Sequence, residues 1–367
     1  MLSRFLFSDG PRPSSLFLPL ALSLLLLVSA CATSGSPSSS SADGPAPDAA
    51  AGMALPPDYD FPDRDTVRVA TWNVENFVDA YDDPYVDADR ENNPGDDVDR
   101  DTRHFAEAVD AMNADILVLQ EIESEAFARR IVEDHLPDAG YEFFASTKSP
   151  DWFQNVVLVS RYPLGVLHGF ADVVTPIEGI RAENGEPDAT SLINNRLWMV
   201  DVRVTSTEMM TVVGAHLKAG GDDRDRAWRI GQIRFLHTAL HRFLQQRPGA
   251  DLLVAGDLNS LSDSPELRLL LNHPDRPAPD SLTTGTAGGI RSAVFSDPLS
   301  GTPSPTHPSD DPTRQLDYLL PNRTLRADLV DGSMRVARPL PPETLTSLTD
   351  HLPVVATFAT DDTDAGS

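Results

Sequence analysis

Residues 251–260, DLLVAGDLNS, limit the architectures open to this chain more than any other stretch. Residues 252–255 form an apolar run of strand length, stopped by Gly256. Asp257 and Asn259 stand two apart, so they share a face if extension continues through Leu258. A carboxylate and an amide at a strand's carboxyl end sit where open α/β sheets place their chemistry. Asp and Asn after a strand are equally ordinary turn residues, so the pair gains meaning only from its company.

That company repeats one format, an apolar strand followed at once by a polar group. Residues 66–71, TVRVAT, predict a first core strand closed by Thr71-Trp72-Asn73. Residues 115–120 predict a buried strand ending at Glu121. His216 follows TVVGA, Asp317 lies inside QLDYLL, and Asp350-His351 precede a last strand at 354–358. Residues 156–159, 197–204 and 210–213 are further strand candidates. Phe105, Val109 and Met112 recur at helical spacing, with Thr102 as the expected N-cap. Phe127 and Ile131 suggest another helix, and Ile233, Leu236, Leu240 and Phe243 a long amphipathic one. Strands outnumber helices and several follow one another directly, which disfavours a simple βαβ barrel. The pattern predicts a mixed α/β (α+β) fold in which sheets pack together and helices cover the outside.

The amino-terminal residues read as an address rather than as fold. Arg4 and Arg12 precede an apolar run at 16–28, broken by Pro19 and shorter than the roughly 20 residues that span a bilayer. Val28-Ser29-Ala30 then lead into Cys31, the only cysteine. This resembles a bacterial lipoprotein signal, which implies lipid on Cys31, export, and anchoring at the outer membrane or cell surface. The remaining chain then holds no disulfide. Residues 31–60 are rich in Ser, Ala, Pro, Gly and Asp and read as a flexible tether. The expected organisation is a signal over 1–30, a tether over 31–60, one catalytic-sized domain over 61–360 and a disordered tail over 361–367, with the protein a monomer.

Net charge is −27, and Lys148 and Lys218 are the only lysines. The acids are scattered, which suits a surface adapted to a salty medium, where repulsion is screened. The densest acidic stretch, residues 79–101, is expected to be a solvated loop. It lacks the glycine and bidentate glutamate spacing of an EF-hand, so calcium binding there is disfavoured.

Taken together, VATWNVENF, ILVLQEIES, NVVLVSRYPL, GAHLK, LLVAGDLNS, QLDYLL and SLTDHLPVVATF resemble the endonuclease/exonuclease/phosphatase superfamily, from Val69 to Phe358. The resemblance implies a four-layered α/β sandwich with two packed mixed sheets between helices. It also implies hydrolysis of a phosphate ester with Mg²⁺, or with Mn²⁺ or Ca²⁺ in its place. By the same resemblance Glu121 is the main metal ligand, with Asn73 beside it and Asp350 near the metal or its waters. Asp257 positions and deprotonates water, and Asn259 holds that water or the phosphate. His216 and His351 contact the phosphate, and Asp317 orients His351. Arg196 reaches the phosphate; Asn155 is a candidate substrate contact or a strand cap. Such chemistry suits these residue types, because a cation offsets the charge that keeps a nucleophile from a phosphodiester.

The substrate is less constrained. A nuclease acting on DNA or RNA is expected first, from family frequency and export. A phosphodiesterase or phosphatase on lipid head groups or small phosphates, akin to sphingomyelinases or inositol phosphatases, comes second. Arg224, Arg226, Arg229 and Arg234 could guide a polyanion, yet Asp222, Asp223 and Asp225 interleave with them. Lys218 is a further candidate contact. A non-catalytic surface lipoprotein is disfavoured by the intact polar set.

Overall fold

The computed structural model describes residues 55–56, 58–62, 64–147, 152–170, 173–191, 196–271 and 295–360. The lipoprotein signal, Cys31 and the expected tail lie outside the described residues, as does most of the tether. Tyr59 already docks, its hydroxyl donating to the Arg161 carbonyl at 3.0 Å and its ring meeting Phe143 edge-on. Among the described residues no helix is long and apolar enough to cross a membrane.

Two mixed sheets form the centre. Strands β1 (Thr66–Phe77), β2 (Ile116–Ile122), β3 (Phe143–Ser146) and β4 (Asn155–Ser160) belong to the first. Strand β5 (Leu164–Gly169) belongs to the second, and β6 (Val174–Arg181) and β7 (Pro187–Ser191) make a separate hairpin. Strands β8 (Leu197–Arg203), β9 (Met209–His216), β10 (Asp251–Asp257) and β11 (Asp317–Pro321) complete the second sheet. Strands β12 (Arg335–Val336) and β13 (Val354–Ala359) return to the first. Their orders are β12-β13-β1-β2-β4-β3 and β11-β10-β9-β8-β5. Each sheet has one parallel pair, β1 with β2 and β9 with β10, flanked by antiparallel neighbours.

A parallel pair needs a crossover, and helices supply it. Helices α1 (Asp89–Asn92) and α2 (Val98–Met112) lie between β1 and β2, and α3 (Glu125–His135) follows β2. Helix α4 (Asp223–Gln246) joins β9 to β10. The short α5 (Arg323–Ala327) and α6 (Pro342–Leu348) follow β11 and β12. Trp72, Phe105, Val109, Phe127 and Ile131 pack in one outer layer. Val213, Ile233, Leu236, Leu240 and Val254 pack in the other. Between the sheets lie Val69, Val118, Leu158, Val200, Val212, Leu253 and Val354. These apolar layers make the four-layered α/β sandwich. Truncating one such buried Leu or Ile to Ala costs about 2–5 kcal/mol, so each layer matters.

Alternation along each strand explains why both faces are apolar: residues one apart serve different layers. Trp198 of β8 stitches the sheets together, its indole N–H donating to the Val156 carbonyl of β4 at 2.8 Å. Opposite it stands Gly214, where a Cβ would lie 2.4 Å from the indole ring. The glycine before Ala215-His216 therefore makes room for the tryptophan. Gly256 is required for a different reason. Its φ is 150° and a Cβ would lie 1.8 Å from the Ala215 carbonyl oxygen, so Gly256→Ala is incompatible with this backbone.

Several sequence expectations are corrected. Thr102 is not the N-cap of α2; the helix starts a turn earlier, with Asp97 at its cap position. The acidic stretch is not wholly a solvated loop, since it carries α1 and buries Glu91. Strand β1 runs past Asn73 to Phe77, with its register shifting between them. The strands β3, β5, β6, β7 and β12 are additional; they are short or largely exposed.

Candidate active site

The parallel pairs aim four strand ends at one edge of the sandwich. Asn73 of β1 pairs with Gln120 of β2, and His216 of β9 pairs with Asp257 of β10. The antiparallel partners bring their starts to the same edge: Asp317 is opposite Asp257, and His351 stands three residues before β13. The packing of β1 and β2 against β9 and β10 then closes the gap between sheets.

Glu121 is a bulge residue near the end of its strand. It has φ 61°, at a register shift between Gln120 and Ile122, and such a left-handed conformation is costly for a residue with a side chain. The bulge presents its carboxylate at the edge, where Oε2 accepts from the Asn76 N–H at 3.1 Å and from Gln154 at 2.8 Å. Asn73 bridges the sheets. Its Nδ2 donates to Asp257 Oδ2 at 3.0 Å and faces Glu121 Oε1 at 3.3 Å, while its Oδ1 accepts from the Glu75 N–H.

Asp257 is buried and braced. Its Oδ1 accepts from the Asn259 N–H at 2.8 Å, and its Oδ2 from Asn259 Nδ2 at 3.2 Å as well as from Asn73. Asn259 has φ 48° and also donates to the Leu217 carbonyl. The strand ends at Asp257, so extension does not carry Asn259 to the shared face; a tight turn does. Turn and site are the same structure here. A carboxylate offers about four lone-pair sites, and three donors leave one for a water. Burial, then the charge of Asp317, push Asp257 up from the ordinary carboxylate range to about 7.

The two histidines differ in charge. His216 is buried, and burial, with the charges of Arg196 and His351, holds it well below its ordinary value and therefore neutral. Arg196 can only donate, and its Nη1 stands 3.2 Å from His216 Nδ1 and 3.4 Å from Nε2. The acceptor is on the Nε2 side, where Glu121 Oε1 lies at 3.4 Å, and it favours the proton on that nitrogen. For His351 burial opposes protonation, but the charge and hydrogen bond of Asp317, with Asp257 and Asp350, overcome it and raise the imidazole to about 10. Its Nδ1 lies 2.8 Å from Asp317 Oδ2, and its Nε2 lies 3.9 Å from Asp257 Oδ2 and 3.6 Å from Asp350 Oδ1.

Most of the sequence-derived set is thus brought together: Asn73, Glu121, Arg196, His216, Asp257, Asn259, Asp317, Asp350 and His351. Asp350 sits on the His351 side, its N–H donating to Glu75. Asn155 does not join them. Its Nδ2 donates to the carbonyls of Glu123 and Phe153, as a strand cap does. Its neighbour Gln154 joins instead, donating to Glu121 and accepting from Arg196 at 2.7 Å. Lys218 is tied to Asp225 at 2.9 Å. Gln154, Glu75, Thr306 and His307 carry no strand-end signature and were not singled out by the sequence.

The donor set fits a hard divalent cation. The carboxylates of Glu75, Glu121, Asp257, Asp317 and Asp350 outnumber the cations Arg196 and His351 at this edge. By contrast Asp115, at the opposite end of β2, is neutralised by Arg64 and Arg161 at 2.7 and 2.9 Å. Oxygen ligands and excess negative charge are what Mg²⁺ or Mn²⁺ takes.

The model of the endonuclease/exonuclease/phosphatase family matches residues 70–351. The chain belongs to this family. It is a hydrolase of phosphate esters, and enzymes of the family depend on divalent metals. A search of the curated proteins found no match. Among solved structures, TDP2 of D. rerio complexed with a single-strand DNA product is 14% identical, covers 81% of this chain and 100% of its own, and has a TM-score of 0.50. An AP endonuclease from Archaeoglobus fulgidus is 17% identical, covering 80% and 99%, with a TM-score of 0.46. Beta toxin 275-280 from Staphylococcus aureus is 14% identical, covering 79% and 99%, with a TM-score of 0.49. The two packed sheets between helices and the likeness to TDP2 make the family's sandwich the fold of this chain.

Proposed function

We propose that the protein is an exported, lipid-anchored phosphodiesterase, in the first instance a nuclease, that hydrolyses its substrate by metal-assisted attack of water. The observation that carries this is the convergence of Asn73, Glu121, His216, Asp257, Asn259 and the Asp317–His351 pair on one edge. A bound Mg²⁺ or Mn²⁺ would polarise the phosphoryl oxygen and neutralise charge, held by Glu121 with Asn73 and Asp350 near it.

The chain's own groups do the rest. Asp257 takes the proton of a water placed against its free lone pair, oriented by the Asn73 and Asn259 amides. The oxygen attacks phosphorus, and the leaving alkoxide departs on the opposite side. Protonated His351 donates to the phosphoryl oxygens as charge develops, and neutral His216 donates from Nε2. Arg196 adds positive charge from the other flank, with Gln154 holding it.

Two observations divide the substrate question. The neighbour from D. rerio holds a single-strand DNA product, which supports the nuclease reading. Yet the arginines of α4 are engaged: Arg224 with Asp188, Arg226 and Arg229 with Glu266, and Arg234 with Glu178. Paired cations track a phosphate backbone poorly. That favours the second reading, a small or lipid head-group phosphodiester. A panel of DNA, RNA, sphingomyelin and a phosphomonoester in Mg²⁺ decides. Nucleic-acid cleavage is expected; turnover of sphingomyelin alone would replace the nuclease reading, and turnover of the monoester alone would remove the diesterase one.

Export and anchoring rest on the sequence around Cys31. Cells fed a labelled fatty acid are expected to label the native protein and not Cys31→Ser. Equal labelling of both, or of neither, contradicts the anchor.

A further inference from the structure

His307 stands outside the strand-end set, yet touches two of its members. Its ring centroid lies 4.7 Å from that of His351, and its Nε2 lies 3.2 Å from Asp350 Oδ2. By distance alone His307, Asp350 and His351 could share a metal ion. The other face of the ring argues otherwise. Arg314 Nη2 stands 2.7 Å from His307 Nδ1. A guanidinium has only donors, so Nδ1 must carry the lone pair and the proton must be on Nε2. A protonated Nε2 cannot ligate a metal, but it can donate to a carboxylate. Imidazoles that do ligate metals turn their other nitrogen toward an acceptor, not a cation.

We propose that Arg314 and His307 form a positioning relay for Asp350, parallel to the one Asp317 forms for His351. The Arg314 proton fixes the His307 tautomer, His307 Nε2–H binds Asp350 Oδ2, and Asp350 Oδ1 is left facing His351 Nε2 at 3.6 Å. The carboxylate is thereby held at the edge where substrate phosphate meets His351.

The loop is built to hold this geometry. His307 and Arg314 exchange backbone hydrogen bonds at 3.0 and 2.9 Å, so donor and acceptor side chains rise from one closed bridge. Thr306 anchors that bridge to both relays: its hydroxyl accepts from the Leu316 and Asp317 N–H groups, and its carbonyl from Leu352. Ser309 adds a bond to the Thr349 carbonyl, next to Asp350.

The inference rests on the phosphodiesterase reading, and the test separates the two. Native full-length protein is assayed on bis(p-nitrophenyl) phosphate in Mg²⁺; no turnover by it sinks the diesterase reading itself. With native turnover in hand, His307→Ala is expected to lower kcat about tenfold with little change in KM. His307→Gln, whose amide N–H replaces Nε2–H, is expected to recover most of the rate. In an Asp350→Ala background the His307→Ala change should cost nothing further. An undiminished loss in that background, or recovery of His307→Ala by excess Mn²⁺ or Zn²⁺, would overturn the relay in favour of loop stability or metal ligation. Long-range ¹H–¹⁵N spectra give a readout independent of rate. They should show His307 as the Nε2–H tautomer, unchanged by Zn²⁺; an Nδ1–H tautomer would equally overturn it.

Discussion

Asp257→Asn is expected to lower kcat by roughly a thousandfold, the scale of a lost general base, while the protein stays folded. Asn keeps the shape, and its oxygen in the Oδ2 place can accept from Asn73 Nδ2 and Asn259 Nδ2, but its NH2 then faces the Asn259 N–H and it cannot take a proton. Asp257 is buried beside the charge of Asp317. Removing its charge relieves that repulsion and loses the attraction of His351 and the acceptor for the Asn259 N–H, so the opposing effects should leave the melting temperature within a few degrees of native. Initial rates and a thermal melt on the same preparation check both halves. The acid side of the pH profile carries a second signature. Burial raises Asp257 to about 7, so the metal-free site loses its base as pH falls through that value. Bound cation pulls the carboxylate back down and moves the acid limb lower. A variant within tenfold of native, or one that is inactive only because it is unfolded, contradicts the role of Asp257.

The second large effect belongs to the Asp317–His351 pair. His351→Ala is expected to cost roughly 100- to 1,000-fold in kcat, as loss of a group that stabilises transition-state charge does. Asp317→Asn should come close to it, because the imidazole loses the partner that keeps it charged and turned. The sign with pH follows from the raised value. His351 titrates at about 10 when folded, above its ordinary 6.5. Its ion pair therefore stabilises the fold fully below about pH 6.5, and that contribution is lost as pH rises through about 10. In Asp317→Asn that alkaline loss should be small. Wild-type rates in either variant, with native melting profiles, would remove the pair from the chemistry.

Much of this was legible in the amino-acid sequence because strand ends are. An apolar run stopped by a polar residue locates both a strand and its edge, which is how Glu121, His216 and Asp257 could be found; Asp317, inside QLDYLL, instead opens its strand. What the pattern misses is local geometry. Asn155 and Gln154 are adjacent, and a strand sends them to opposite sides; the sequence gives no sign of which one faces Glu121. Glu121 itself sits on a bulge, and bulges carry no reliable residue signature without a glycine. Asn259 reaches Asp257 through a left-handed turn, so the turn and the site, posed as alternatives by the sequence, are both realised. His307 and Arg314 lie in a loop without periodicity, and only the closed bridge between them brings either to Asp350.

The central claim is that this edge is one metal-assisted hydrolytic site centred on Glu121. The most direct measurement is the rate of bis(p-nitrophenyl) phosphate hydrolysis by native protein stripped with EDTA and then titrated with Mg²⁺, beside Glu121→Gln. The rate is expected to be lost on stripping and restored by Mg²⁺ or Mn²⁺, with Glu121→Gln needing far more metal for any recovery. Native hydrolysis that persists in EDTA, or a Glu121→Gln titration that overlays the native one, would contradict it.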